Sequence, residues 1–163
     1  SGIPHLDVAV AVSEDGNVIV GGFGSTPFDG QAYVAVLGPS GTWTDLGNGL
    51  AGSAGVPVLA GDGSLLPHAP TTFSLASARP NASAALVLGI TQLNAPFKGG
   101  VAVAAFDIII AGLPTGPLGE ITFGFEWPVG FPSGASLYWQ YWIADADGPA
   151  GFAASNGLAS TAP

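Results

Sequence analysis

Few side chains in this sequence could do chemistry. There are two histidines, His5 and His68. A nucleophilic triad needs a histidine within reach of a serine and a carboxylate. His68 lies in Leu65-Leu-Pro-His-Ala-Pro70, and no Gly-x-Ser-x-Gly elbow occurs in the chain. Both histidines read as solvated loop residues. Glu120 and Glu126 share one strand face, because their separation is even. Six extended residues span about 20 Å, whereas glycosidase carboxylates stand roughly 5–9.5 Å apart. The pair reads as solvated strand charges. The expectation is a protein that is not an enzyme.

Asp145-Ala-Asp-Gly148 sets alternating carboxylates before a glycine, which suits a hard cation such as Ca2+. It lacks the further oxygen ligands and distal glutamate of an EF-hand loop. An Asp-Gly turn is the plainer reading, with Asp7 a candidate to share a weak Ca2+ site. No other metal or cofactor is expected. Gly21-Gly-Phe-Gly24 and Gly47–Gly55 lack Gly-Lys-Ser/Thr and open no helix, so they read as turns rather than phosphate loops. Asn81-Ala-Ser83 is a formal glycosylation sequon, for which a chance match is the plainer reading.

The most informative stretch is Ala135-Ser-Leu-Tyr-Trp-Gln-Tyr-Trp-Ile-Ala-Asp145. Read as a strand, it puts Leu137, Trp139, Tyr141 and Ile143 on one face and Tyr138, Gln140 and Trp142 on the other. The first face is assigned to the core. The second is a candidate interface or glycan-binding surface, since aromatic rings beside an amide suit sugars. Aromatic residues also dominate cores and protein interfaces. The face is therefore either covered, by the N-terminal block of this or another copy, or an exposed sugar platform. Cover is the favoured expectation.

Composition narrows the classes. The 163 residues suit one domain, or one domain with an appendage. Two basic residues, Arg79 and Lys98, stand against 11 acidic ones. Nucleic acid needs several Lys or Arg to displace counterions, so that partner is excluded, as is an anionic membrane surface. There is no cysteine, which removes disulfides and thiolate chemistry. No run reaches the length of a membrane span. The absence of methionine and the start at Ser1 are what removal of a secretory signal would leave. The expected location is extracellular, at the cell surface.

The elements that must position these residues are short and β-like. Apolar residues make 48% of the chain and lie in short runs between Gly and Pro turns. Residues 1–45 form a first block: a strand Leu6–Val12, an Asp-Gly hairpin turn at Ser13–Asn17, a return through Asn17–Gly21, then Gln31–Leu37 and Thr42–Leu46. Residues 46–163 form a second, with strands expected at Ser64–Leu66, Thr71–Ser77, Ala84–Gln92, Val101–Ala111, Glu120–Trp127, Ser136–Ala144 and Phe152–Ser155. No helical period with caps occurs. The fold class is all-β, an antiparallel β-sandwich, Ig-like or jelly-roll-like.

Two resemblances add to this. Val10–Val12, Asp15-Gly16, Val18–Phe23, Tyr33–Val36, Trp43 and Leu46–Gly49 resemble one repeat of secreted bacterial β-propeller-like arrays. A single repeat cannot bury both its faces, and about three are usually needed. Asp45–Gly52, Gly55–Leu59, Gly61–Leu66, Ala78–Asn81, Ala95–Gly100, Leu113–Thr115, Leu137–Ile143 and Ala154–Pro163 resemble a small domain at the C-terminal end of large secreted proteins of environmental bacteria. That resemblance implies a secreted β-domain and names no mechanism.

Leu6, Val8, Val10 and Val12 share one face of a strand that has no Lys to discourage edge pairing. They are the candidate assembly strand. An extended terminus can complete the sheet of a neighbour, and a contact that does not close on itself builds a filament. The expected partner is a second copy of the chain, in an extracellular filament or surface assembly. The alternative is a carbohydrate-binding, adhesive module with polysaccharide as the partner.

Overall fold

The computed structural model describes residues 8–12, 18–23, 31–36 and 41–163. Leu6, His5, Asp7 and the turn at Ser13–Asn17 lie outside the described residues. The chain divides into two compact units, Ser1–Ser40 and Gly41–Pro163. The first carries β1 (Val8–Val12), β2 (Val18–Phe23) and β3 (Gln31–Val36) as an antiparallel meander in chain order. β1 pairs only with β2, so its other edge is unpaired among the described residues.

The boundary falls five residues before the expected 45/46 division. The strand β4 (Thr42–Gly47), read as the end of the first block, belongs to the second unit. It pairs antiparallel with β14 (Gly157–Thr161), Trp43 lying opposite Ser160. Trp43 and Leu46–Gly49, the last part of the repeat-like pattern, thus belong to the second unit, and the strands that carry its first part belong to the first. A strand's sequence sets its two faces but not its partner across more than a hundred residues.

The second unit is a β-sandwich with an extra hairpin. One sheet runs β10 (Ile108–Pro114), β7 (Ser83–Gly89), β12 (Ser136–Ala144), β14, β4, with β13 (Phe152–Ala154) also on β12. The facing sheet runs β11 (Ile121–Glu126), β6 (Pro70–Ala76), β5 (Val58–Asp62). All pairings are antiparallel. Between the sheets lies a core of Leu59, Phe73, Leu75, Leu86, Trp139 and Tyr141, with Ile143 and Leu158. Phe73 anchors it, its ring centroid 4.4 Å from that of Trp139 and 5.4 Å from that of Phe125.

The hairpin β8 (Gln92–Phe97) and β9 (Gly100–Ala104) lies against the other side of β12. Ala102, Ala104, Val87, Trp142 and Ala154 form a second cluster there. β12 is thus buried on both faces. Its alternation follows the expected division, and its flanking strands are β7 on one edge and β13 with β14 on the other.

Several expected strands differ. Ser64–Leu66 is irregular, with Leu65 fully buried in the positive-φ region at 58°. Val101–Ala111 is two strands, broken where Asp107 Oδ2 accepts the Ile90 amide at 2.8 Å and the Ala105 amide reaches Thr91 O at 3.0 Å. β8 and β14 were not expected. β14 reads Gly-Leu-Ala-Ser-Thr, which offers little hydrophobic alternation to recognise.

One side of the sandwich is latched. Asn156, buried at the break between β13 and β14, accepts the Leu59 amide at 2.7 Å and donates to Leu59 O at 3.0 Å and Asp45 Oδ1 at 2.9 Å. It ties β4 to β5. Beside it, Trp43 Nε1 donates to Gly63 O at 3.0 Å, and the indole meets Phe73 edge-on. A methyl group at Gly61 would strike the Trp43 ring. Gly61→Ala should therefore destabilise the chain by about 1–3 kcal/mol through overpacking. The denaturation midpoint should fall, and tryptophan emission should shift if the indole leaves Phe73.

Candidate functional site

The residues that the sequence marks for binding are brought together, but under cover. Gln140 is 1% exposed and Trp142 is 4% exposed. Tyr138 is half-buried. What covers this face is the β8–β9 hairpin of the same unit. Gln140 Oε1 accepts the Val103 amide at 3.0 Å, while its Nε2 donates to Val101 O and Ser155 O, each at 3.1 Å. The side-chain amide thus acts as a short piece of strand, meeting backbone groups of β9 and of Ser155, just after β13, that would otherwise lack these partners. Trp142 packs edge-on against Phe97, centroids 4.9 Å apart. Gln140 and Trp142 are out of reach of a sugar ring in this fold. An exposed platform is therefore not what Gln140 and Trp142 form: the face is covered there, by the β8–β9 hairpin.

Asp145 is committed as well. Its side chain is buried, and Oδ2 accepts the Ser53 amide at 2.7 Å and the Ser53 hydroxyl at 2.8 Å. Oδ1 accepts the Asp147 amide at 3.1 Å and faces Arg79 Nη1 at 3.8 Å. Burial alone would push this carboxyl up. The Ser53 donors, the Asp147 amide and the Arg79 guanidinium outweigh it and hold the pKa below the ordinary value. The carboxylate fastens the loop after Leu50 to the end of β12, so its oxygens are turned to protein donors rather than outward to a cation. Asp7, its suggested partner, lies outside the described residues.

His68 Nδ1 and Glu126 Oε2 approach to 3.7 Å, both well exposed. An ion pair so exposed contributes almost nothing to stability. Glu120 sits in the turn before β11, where its carboxylate accepts the Leu118 amide at 2.8 Å. Glu120 and Glu126 therefore serve opposite ends of β11.

The surface feature that the sequence left unmarked is the side of the sandwich opposite the latch. There β10 ends one sheet and β11 ends the other. Neither outer edge is paired among the described residues. β10 reads Ile-Ile-Ile-Ala-Gly-Leu-Pro, with no charged residue, and every residue but Leu113 is exposed. Ile108 is 53% and Ile109 55% exposed. Ile108 and Ile110 lie opposite Leu88 and Leu86, so they share the core-facing side, while Ile109 lies opposite Val87 on the hairpin side.

Beneath β10 the two sheets do not close completely. A cavity of about 140 Å³ remains, walled by Leu86 and Tyr141, by Ile110 and Leu113 of β10, and by Ile121 and Phe123 of β11. Ile110 and Phe123 are themselves exposed, so the cavity reaches the surface between them. The Tyr141 hydroxyl is buried with no hydrogen-bond partner among the described residues, and burial pushes its phenol pKa up. An Ile-Ile-Ile run looks like a strand buried on both faces. It is instead an edge strand, which periodicity by itself does not distinguish.

No helix among the described residues is long and apolar enough to cross a membrane. Compared with protein-family models, curated proteins and solved structures, the chain matches none.

Proposed function

We propose that the protein is a structural subunit that associates with further copies of itself by β-strand addition, in an extracellular filament or surface assembly. The observation that carries this reading is the outer edge of β10: unpaired among the described residues, uncharged and lined by three exposed isoleucines. Such an edge is a template for another strand, and proteins that must avoid pairing place Lys or Pro along it. The bulge between Ile110 and Leu113 and the terminal Pro114 leave Ile108–Ile110 as the regular part. The candidate donor is β1 of a second copy, apolar throughout, with an edge that is unpaired among the described residues; a register shift between Ala9 and Ala11 breaks the single face expected of Val8, Val10 and Val12. Leu6 would extend it. Main-chain hydrogen bonds would supply the affinity and the apolar edges the selectivity. Because donor and acceptor are two different strands of the chain, the contact is head-to-tail and can propagate.

The test is electron microscopy and sedimentation of the purified full-length chain. Wild type should form extended assemblies. Ile109→Lys, at an exposed position, should remain folded and monomeric, and removal of residues 1–12 should have the same effect. A wild-type chain that stays monomeric at high concentration would overturn the reading. With Gln140 and Trp142 buried, the carbohydrate-binding alternative has no observation of its own in its favour.

A further inference from the structure

We infer that the exposed pair Asn48-Gly49 is a site of spontaneous deamidation, a covalent change that the folded chain undergoes there and resists at a second pair of the same sequence. The chain holds two such pairs, Asn48-Gly49 and Asn156-Gly157, each followed by leucine. Glycine after asparagine favours the reaction, because no Cβ hinders the approach of its amide nitrogen and its backbone turns freely. The Gly49 nitrogen attacks Cγ of Asn48 and gives up its proton. The Cγ–Nδ2 bond breaks, and Nδ2 leaves with that proton as ammonia. A cyclic imide remains. Water opens it at Cγ to give aspartate, or at the main-chain carbonyl of residue 48 to give isoaspartate, whose main chain runs through Cγ. Water is the only co-reactant.

The sequence makes the two pairs alike, and the fold separates them. Asn48 and Gly49 are both exposed, just past the end of β4. The Gly49 amide, the attacking group, has no hydrogen-bond partner among the described residues. Asn48 stands at a φ of 63°, and one exposed bond holds its side chain, Nδ2 donating to Leu46 O at 3.0 Å. A bond so open to water gives way in local fluctuations. Asn156 is 8% exposed. Its Oδ1 is held by the Leu59 amide and its Nδ2 by Leu59 O and Asp45 Oδ1, while Gly157 is buried in β14. Ring closure there requires that end of the sheet to open first. Isoaspartate at position 48 adds one carbon to the main chain just before Leu50, whose amide and carbonyl exchange hydrogen bonds with Ala154. This inference does not rest on self-assembly, since both pairs are compared within one unit.

The test incubates the full-length chain in mildly alkaline buffer, with and without denaturing urea, and follows both pairs by peptide mapping with mass spectrometry. In urea, where only local sequence matters, Asn48 and Asn156 should convert at similar rates. In the folded chain Asn48 should convert at least about tenfold faster than Asn156, because the buried pair reacts only through opening of its strand. Ion exchange of the folded chain should show a more acidic form growing with time. Asn48→Gly, which keeps the positive φ without strain, should remove most of that form. The inference is overturned if Asn48 stays intact in the folded chain, if Asn48 and Asn156 convert there at equal rates, or if the acidic form grows undiminished in Asn48→Gly.

Discussion

Gln140→Ala should lower the stability of the second unit by about 3–5 kcal/mol, because buried backbone groups left without partners cost about 1–3 kcal/mol each. The groups are the Val103 amide, Val101 O and Ser155 O, all held by one side-chain amide. For a chain of this size the melting temperature should fall by roughly 10–15 °C. Calorimetry or urea denaturation measures it directly. The hairpin should loosen first, so its amide hydrogens should exchange faster than those of β6 and β7.

Gln140→Glu sharpens the point, since it keeps the size and alters only the donors. At neutral pH a carboxylate can still accept from Val103 but faces two carbonyl oxygens as an anion. Burial raises the pKa of such a group in the folded state. The folded variant then binds a proton more readily than the unfolded chain, so its stability rises as pH falls. Gln140→Glu should therefore be less defective in mild acid than at pH 7. A variant equally stable at both would show that Gln140 is not held as described.

Asp145 gives the second large effect and the opposite pH dependence. Asp145→Ala strands the Ser53 amide and hydroxyl and the Asp147 amide. The expected loss is about 2–4 kcal/mol, since hydrogen bonds to a charged group are worth about 1.5–3 kcal/mol. Arg79 is a lesser partner. Its side chain is 43% exposed and 3.8 Å away, so Arg79→Ala should cost less than about 1 kcal/mol.

The sign with pH follows from the depressed native pKa of Asp145. The unfolded carboxyl titrates at about 3.9. Above that value the folded and unfolded chains both carry the charge, and the stabilisation is complete. As pH falls through the lower native value, the native state must take up the proton and the stabilisation is lost. Asp145→Asn should flatten this part of the stability profile. A wild-type profile that matches the variant's in acid would show that other carboxylates carry the acid response.

These two residues show how far the sequence reaches. Asp145-Ala-Asp-Gly148 is visible as a turn, and it is one: the Gly148 amide donates to Asp145 O at 3.0 Å. Nothing near it in sequence shows that the carboxylate is taken by Ser53, 92 residues earlier. Likewise the alternation from Leu137 to Ile143 shows that Gln140 and Trp142 share a face. It does not show that the face is roofed by a hairpin whose first strand, Gln-Leu-Asn-Ala-Pro-Phe, has little hydrophobic alternation to recognise.

The chain by itself determined the all-β class, the two-faced character of β12 and the scarcity of charge. Each is a local or compositional property, fixed by the two-residue repeat of a strand and by which residues form turns. Only the tertiary structure decided three further points. It gave β4 to the second unit through β14, set the β8–β9 hairpin over Gln140, and left β10 and β11 apart above Tyr141. These depend on contacts between distant segments, such as Asn156 with Asp45 across 111 residues. Pairing of that kind is settled by how whole faces and edges fit, which no window of sequence contains.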